Sequence, residues 1–409
     1  MLQNTTLEGL TISASGSAGS FDFDPAVFVE EKVAEIRSAV GKGRVAIATS
    51  GGVDSTACAA LAHRALGKGL VCFFMDTGFM REGEVEEVRD LLSSLGLPLK
   101  ILSVKDRFLK VLEGKTDAES KRLAFRETFY TVLGEAARRE GCNVLIQGTI
   151  APDWIESSGG IKTQHNVLEQ LGVDTVERFG FRLLEPLLDL YKDQVRALAR
   201  YLGARVNASE RQPFPGPGLL VRCIGPVREE KVEVLRKATK AVEKHLGALR
   251  PEPKQYLAAV IEDERSPSKE GVEGAASRIL PKARVEYLRW LATGVKGDNR
   301  AYGKIAIVTG GEMEPSDLFD LPEKVVHQDG EVVRVVYVVD GGRDKKTASR
   351  GKYAVIVRAV ETRDFMTAKP SAIPLKVLKR IADKVMEDDR VSVVCYDLTS
   401  KPPATVEFE

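Results

Sequence analysis

Residues 44–66 read RVAIATSGGVDSTACAALAHRAL: an apolar run, a pair of glycines and a helical pattern in immediate succession. Val45 to Ala48 is a short continuous apolar run, the pattern of a strand covered on both faces in a parallel sheet. Gly51 and Gly52 follow where the chain must turn sharply, and Asp54, Ser55 and Thr56 suit the opening of a helix over 54–66. Such a turn aims several backbone N–H groups and hydroxyls at one spot in front of a helix N-terminus. That spot attracts an anion, most naturally phosphate.

Strand and helix patterns alternate on either side. VFVEEKVAEIRSAV has helical spacing before the strand at 45, and LVCFFMDTG after the helix reads as a second buried strand ending at Asp76. GEVEEVRDLLSSLG predicts a helix, LPLKILSV a third strand, AESKRLAFRETFYTVLGEAARREG a long helix and NVLIQGT a fourth strand. Alternation of this kind predicts an α/β domain with a parallel sheet and helices on both faces. Ligands of such sheets sit outside the carboxyl ends of the strands, where Ser50, Asp76 and Thr149 fall.

The segment RQPFPGPGLLVRCIG breaks the rhythm. Pro213, Pro215 and Pro217 with Gly216 and Gly218 exclude a helix and an internal strand, so a rigid connector and a domain boundary just after it are expected. The organisation read from the sequence is a loose tail over 1–22, an α/β domain over 23–220 and a smaller α+β domain over 221–409. In the latter, GKIAIVTG at Gly303 leads to VVRVVYVVD, and GKYAVIVRAV at Gly351 leads to DRVSVVCYD. Residues 303–350 thus read as an inserted repeat of a strand, a helix-containing middle and a strand; chance likeness of Val-rich strands is the alternative.

Composition narrows the function classes. The formal net charge is +1, with no bulk field for nucleic acid or an anionic membrane. The five cysteines (58, 72, 142, 223, 395) are odd in number and scattered, which favours free thiols in a reducing cytoplasm over a zinc site or disulfide framework. No apolar run reaches the ~18 residues of a membrane span, and MLQNTTLEGLTISASGSAGS has neither the basic region nor the apolar core of a signal peptide.

The glycine turn lacks the Gly-Lys-Ser/Thr of a Walker A loop and the GxGxxG of a dinucleotide site. The full string Ser50-Gly51-Gly52-Val53-Asp54-Ser55 between a buried strand and a helix instead resembles the pyrophosphate loop of the N-type ATP pyrophosphatases (adenine nucleotide alpha hydrolase-like). Further blocks separate the members of that superfamily. GTIAPDWIES, GGIKTQHNV, LEPLLDLYKDQVRALARYLG, ERQPFPGPGLLVR, TGVKGDNRAYG, RAVETRDFMTA and YDLTSKPPATVEFE are similar, in order, to the synthetase part of the GMP synthetase family with its dimerisation domain.

The resemblance implies a two-step ligation. ATP adenylates O2 of xanthosine monophosphate and releases pyrophosphate, then ammonia displaces AMP to give GMP. It further implies that Ser50 to Ser55, with Asp76 and Gly148, bind ATP, and that Asp54 is the carboxylate for Mg2+. Lys162 would be a lid lysine that neutralises phosphate charge, and His165 a second catalytic residue of the same loop. Where the family usually reads Lys-Ser-His-His-Asn, this chain has Lys162-Thr163-Gln164-His165-Asn166. Pro215, Gly216 and Pro217 would lie against the purine and ribose, Arg300 and Lys401 at the nucleotide phosphate, and Thr405 and Glu407 beside the purine.

A glutaminase domain needs a nucleophilic cysteine on a Gly-flanked elbow with His and Glu partners. None of the five cysteines has that setting, so ammonia is expected from a separate glutaminase subunit. Pairing through the C-terminal domain would give a homodimer, unless the inserted copy takes the partner's place; that copy lacks counterparts of DFMTA and KPPAT and is not expected to bind substrate. A tRNA-modifying adenylating enzyme and a nucleotide-sensing paralogue that has lost turnover remain as alternatives.

Overall fold

A computed structural model describes residues 23–152, 176, 180–204, 212, 214–297, 299–340, 351–362 and 366–409. The first half is built on five parallel strands: β1 (Arg44–Ala48), β2 (Leu70–Asp76), β3 (Leu99–Ser103), β4 (Cys142–Ile146) and β5 (Arg182–Leu184). Their order is β3-β2-β1-β4-β5, so the chain winds outward from β1 in both directions. The reversal between β1 and β4 opens a crevice at their carboxyl ends, directly beyond Ala48.

Alternate residues of each strand feed opposite layers. Val45, Ile47, Cys72, Phe74, Val144 and Ile146 pack beneath α1 (Pro25–Val40), α2 (Val53–Leu66), α3 (Glu84–Ser94) and α6 (Lys192–Tyr201). Ala46, Val71, Phe73, Met75 and Leu145 pack against α5 (Ala118–Arg139), which follows the short α4 (Lys105–Leu112). Asp24 caps α1 by accepting from the Ala26 N–H at 2.8 Å. Helix α2 starts at Val53 with Gly52 as its cap, so Asp54 sits inside the first turn rather than on the cap.

The 213–217 connector leads into a short 3-10 turn at Gly218–Arg222, with Pro213 outside the described residues. Gly218 has φ +62°, and a Cβ there would stand 2.3 Å from the Phe79 carbonyl oxygen. Only glycine lets this turn press against the end of the β2 loop.

The second half holds α7 (Glu229–Leu246), β6 (Gln255–Glu262), β7 (Arg265–Pro267), α8 (Val272–Ser277), β8 (Arg284–Lys296), β9 (Asn299–Thr309), α9 (Leu321–Gln328), β10 (Val332–Asp340), β11 (Tyr353–Glu361), β12 (Lys369–Pro370), α10 (Leu375–Val385) and β13 (Val391–Asp397). Strands β9 and β10 are parallel and joined through α9, and β11 and β13 are parallel and joined through α10. The two units meet where β10 runs antiparallel to β13, with Tyr337 opposite Tyr396. Each tyrosine hydroxyl donates to a carbonyl of its own unit, Tyr337 to Gly311 at 2.9 Å and Tyr396 to Ser371 at 2.6 Å. Outside them, β8 is antiparallel to β9 and β6 to β11, so the order β8-β9-β10-β13-β11-β6 mirrors itself about the central seam.

Candidate active site

The loop from Thr49 to Ser55 is shaped by its own hydroxyls. Ser55 Oγ donates to the Gly52 carbonyl at 3.1 Å and accepts from the Ser50 N–H at 3.2 Å, while Ser50 Oγ accepts from the Gly52 N–H at 3.3 Å. Gly51 adopts φ +75°, and a Cβ there would meet Val88 Cγ2 at 2.5 Å. The loop therefore folds back over α3 and delivers the chain into α2. Gly52 supplies no side-chain cap, so the first turn of α2 keeps its N–H groups and its positive dipole end for an incoming anion.

Asp54 carries the opposite charge into that turn. Its Oδ2 accepts from Lys192 Nζ, 2.5 Å away on the first turn of α6, while Oδ1 is buried with no hydrogen-bond partner among the described residues. Gly148, just beyond β4, passes so close to α2 that a Cβ would lie 3.1 Å from the Asp54 carbonyl oxygen. Beside it, Gln147 Nε2 donates to Thr149 Oγ1 at 2.9 Å, and Thr149 in turn bonds Glu185 at the end of β5. Asp76 ends β2 and accepts from the Gly78 N–H at 3.0 Å, which turns the chain toward Phe79. The structure thus gathers Ser50 to Ser55, Asp76 and Gly148 at the carboxyl edge of the sheet. Lys162 and His165 lie outside the described residues.

The second group of residues meets around the segment 401–409. Pro215, Gly216 and Pro217 lead into the turn whose Leu219 N–H donates to the Phe79 carbonyl at 2.8 Å, beside the β2 loop. Arg222, fully buried, grips the Glu407 carboxylate with both arms, Nε at 3.0 Å and Nη2 at 2.8 Å. Lys401 and Ala368 exchange backbone hydrogen bonds, and the Val295 N–H donates to the Pro403 carbonyl at 2.7 Å. Arg300 pairs with Val295 across the β8–β9 hairpin and reaches Glu119 of α5 at 3.6 Å. Thr405 Oγ1 bonds back to Thr293 and Glu407 carbonyls. The end of the segment is also tied down: Glu409, buried, pairs with Lys121 of α5 and accepts from the Gly225 N–H at 2.9 Å.

Sequence reasoning missed Lys192, Arg222 and Lys121. Each was readable only as a lysine or arginine in a helical or loop context, and its partner lies 102 or more residues away.

All five thiols are buried, and burial pushes each of them up: Cys72 reaches about 12, and Cys58 is raised further by the nearby Asp54 charge. A thiolate nucleophile is disfavoured at every one.

An uncapped helix N-terminus behind a Ser-Gly-Gly turn, at the reversal of a parallel sheet, defines a phosphate-loop nucleotide-binding domain. Comparison with known families agrees: the PP-loop domain matches residues 25–207 and the GMP synthase C terminal domain matches 323–408. The chain is 44% identical to a subunit of the glutamine-hydrolyzing GMP synthase of Sulfurisphaera tokodaii, over 95% of this chain and all of that one. It is 40% identical to the corresponding GMP synthase subunit of Methanopyrus kandleri, again over 95% of this chain and all of the relative. An NMN synthetase from Francisella tularensis overlaps 48% of this chain and 78% of its own at 20% identity and TM-score 0.39. The chain belongs to the GMP synthase family.

Proposed function

We propose that this chain is the ammonia-using synthetase component of GMP formation. The observation that carries the reading is the Ser50–Ser55 loop at the mouth of the β1/β4 crevice, in a chain that matches GMP synthase subunits over 95% of its length. O2 of xanthosine monophosphate attacks the α-phosphorus of ATP, and the bond to pyrophosphate breaks. Ammonia then attacks C2, loses a proton, and AMP departs carrying O2.

Each residue has a part in that sequence. Backbone N–H groups of the loop and of the first turn of α2 hold the leaving pyrophosphate, where preorganised donors count most as charge develops. Asp76 and Gly148 border the rest of the ATP site. Asp54 Oδ1, buried and without a partner among the described residues, suits Mg2+, which takes one or two carboxylates along with substrate phosphates. When bound, the ion neutralises phosphate charge. Lys192 holds the other Asp54 oxygen; by the family resemblance Lys162 adds a positive charge to the phosphates, and His165 is a second catalytic residue. Pro215 to Pro217 support the purine and ribose on a stiff backbone that costs little entropy to order. Arg300 and Lys401 take the nucleotide phosphate, and Thr405 and Glu407 the purine, with Glu407 aimed by Arg222.

Ammonia comes from a separate glutaminase subunit, in keeping with relatives that are named as one subunit of a glutamine-hydrolyzing enzyme and with the five buried thiols. For assembly, the β10–β13 seam supports a monomer in which β9, α9 and β10 take the place of a partner's unit; a homodimer through that seam would have to open it. The test of the reading is stoichiometric. Pyrophosphate and AMP should form in equal amounts only when xanthosine monophosphate, ATP and ammonium are all present for full turnover. ATP cleavage indifferent to xanthosine monophosphate would refute it.

A further inference from the structure

The segment 399–409 belongs in sequence to the second strand–helix–strand unit, yet one of its firmest anchors comes from the first. Arg334 lies on β10 and is fully buried. Its Nη2 donates to the Thr405 carbonyl and to Thr405 Oγ1, both at 2.9 Å, and also to the Glu407 carbonyl. Its guanidinium lies 3.9 Å from the centre of the Phe408 ring. Nη1 donates to Asp397 Oδ2 at 2.8 Å, the same oxygen that Arg358 of β11 reaches at 2.7 Å. Arg358 also donates to the Thr399 carbonyl at 3.0 Å. The segment is therefore clasped by one arginine from each unit, joined through a single aspartate.

We propose that Arg334 is a positioning residue of the nucleotide-substrate site, through which the first unit fixes Thr405 and Glu407 of the second. This rests on the reading that those two residues face the purine. The chemistry suits the task. A guanidinium presents several donors in a rigid plane and stacks on an aromatic face, so one side chain can fix two carbonyls, a hydroxyl and a ring. Lysine offers a point charge with no such plane. Two guanidiniums on one carboxylate also leave an excess positive charge behind a segment that receives an anionic nucleotide. Arg334 thus serves the site from the first unit through the 401–409 segment, without touching substrate itself. A free-standing second unit would lack this clasp.

The experiment combines hydrogen exchange with kinetics on the full chain carrying Arg334→Lys, which keeps the charge. Amides of 401–409 should lose protection while those of β9, α9 and β10 retain it. The KM for xanthosine monophosphate should rise about tenfold or more, the size of one lost charge-assisted hydrogen bond, with the KM for ATP unchanged. Should the lysine variant fail to fold, Phe408→Leu removes the stacked ring and keeps Arg334; it should shift both readouts the same way by less. Unchanged exchange in 401–409, or the two KM values rising together, overturns the proposal. Loosened exchange with an unchanged xanthosine monophosphate KM overturns the placement of this segment at the purine. A wild-type chain inert toward xanthosine monophosphate would instead sink the functional reading, and the exchange data still decide whether Arg334 orders the segment.

Discussion

Lys192 and Asp54, 138 residues apart in sequence, bring the first turns of α6 and α2 together at the phosphate loop, Nζ to Oδ2 at 2.5 Å. The pairing leaves Asp54 Oδ1 buried and unpartnered among the described residues, a polar atom that costs stability unless a ligand uses it. Asp54→Ala should therefore cut adenylation severely while the fold survives, and Lys162→Ala should do the same through the phosphates. Loss of one preorganised charge in such a site costs about 10²–10³ in turnover. Pyrophosphate release measured beside a thermal melt checks both; near-normal turnover removes that residue from the mechanism.

Arg300 and Lys401 flank the β8–β9 hairpin and the 401–409 segment rather than the phosphate loop. Their alanine variants should raise the KM for xanthosine monophosphate by about tenfold with kcat little changed, as expected for lost binding of a phosphate charge. An unchanged KM in either one strikes it from the phosphate site.

With every thiol buried, the isolated chain should form GMP from ammonium and ignore glutamine. Its rate at fixed total ammonium should climb with pH near neutrality, as the unprotonated nucleophile becomes more abundant. Glutamine-dependent GMP formation by the pure chain would contradict this.

Part of the chain's acid sensitivity should be traceable to Asp329 at the end of α9. Burial alone would raise its pKa, but hydrogen bonds from Lys269 and Tyr287, with the Glu331 N–H and the Lys304 charge, hold it at about 2. A folded-state value below the unfolded one near 4 contributes stability above that pH and loses it as pH falls toward 2. The contribution is about 2 kcal/mol. Asp329→Asn should therefore be less stable than wild type near neutrality, with the gap narrowing over that acid range in denaturant titrations. A constant gap would dismiss Asp329 as the titrating group.

The fold's local grammar was legible because buried strands are short continuous apolar runs and amphipathic helices repeat every three or four residues. Val45–Ala48, Leu70–Asp76 and the helix after Gly52 could be read directly. β5, three residues long, and α4, eight residues long, were not, since so few residues carry little periodicity. The phosphate loop was legible because its donors are consecutive in sequence. Arg222 holding Glu407 and Arg334 holding Thr405 were not, because a guanidinium 185 or 71 residues from its partner gives no local pattern. What the sequence showed of the substrate side came from resemblance; what aims those residues came only from the folded chain.

Adenylation at O2 of xanthosine monophosphate is the step on which the mechanism turns. Substrate labelled with 18O at O2 should yield AMP carrying one label in its phosphate, alongside unlabelled pyrophosphate and GMP free of label at C2. Unlabelled AMP formed together with GMP would rule out adenylation at O2.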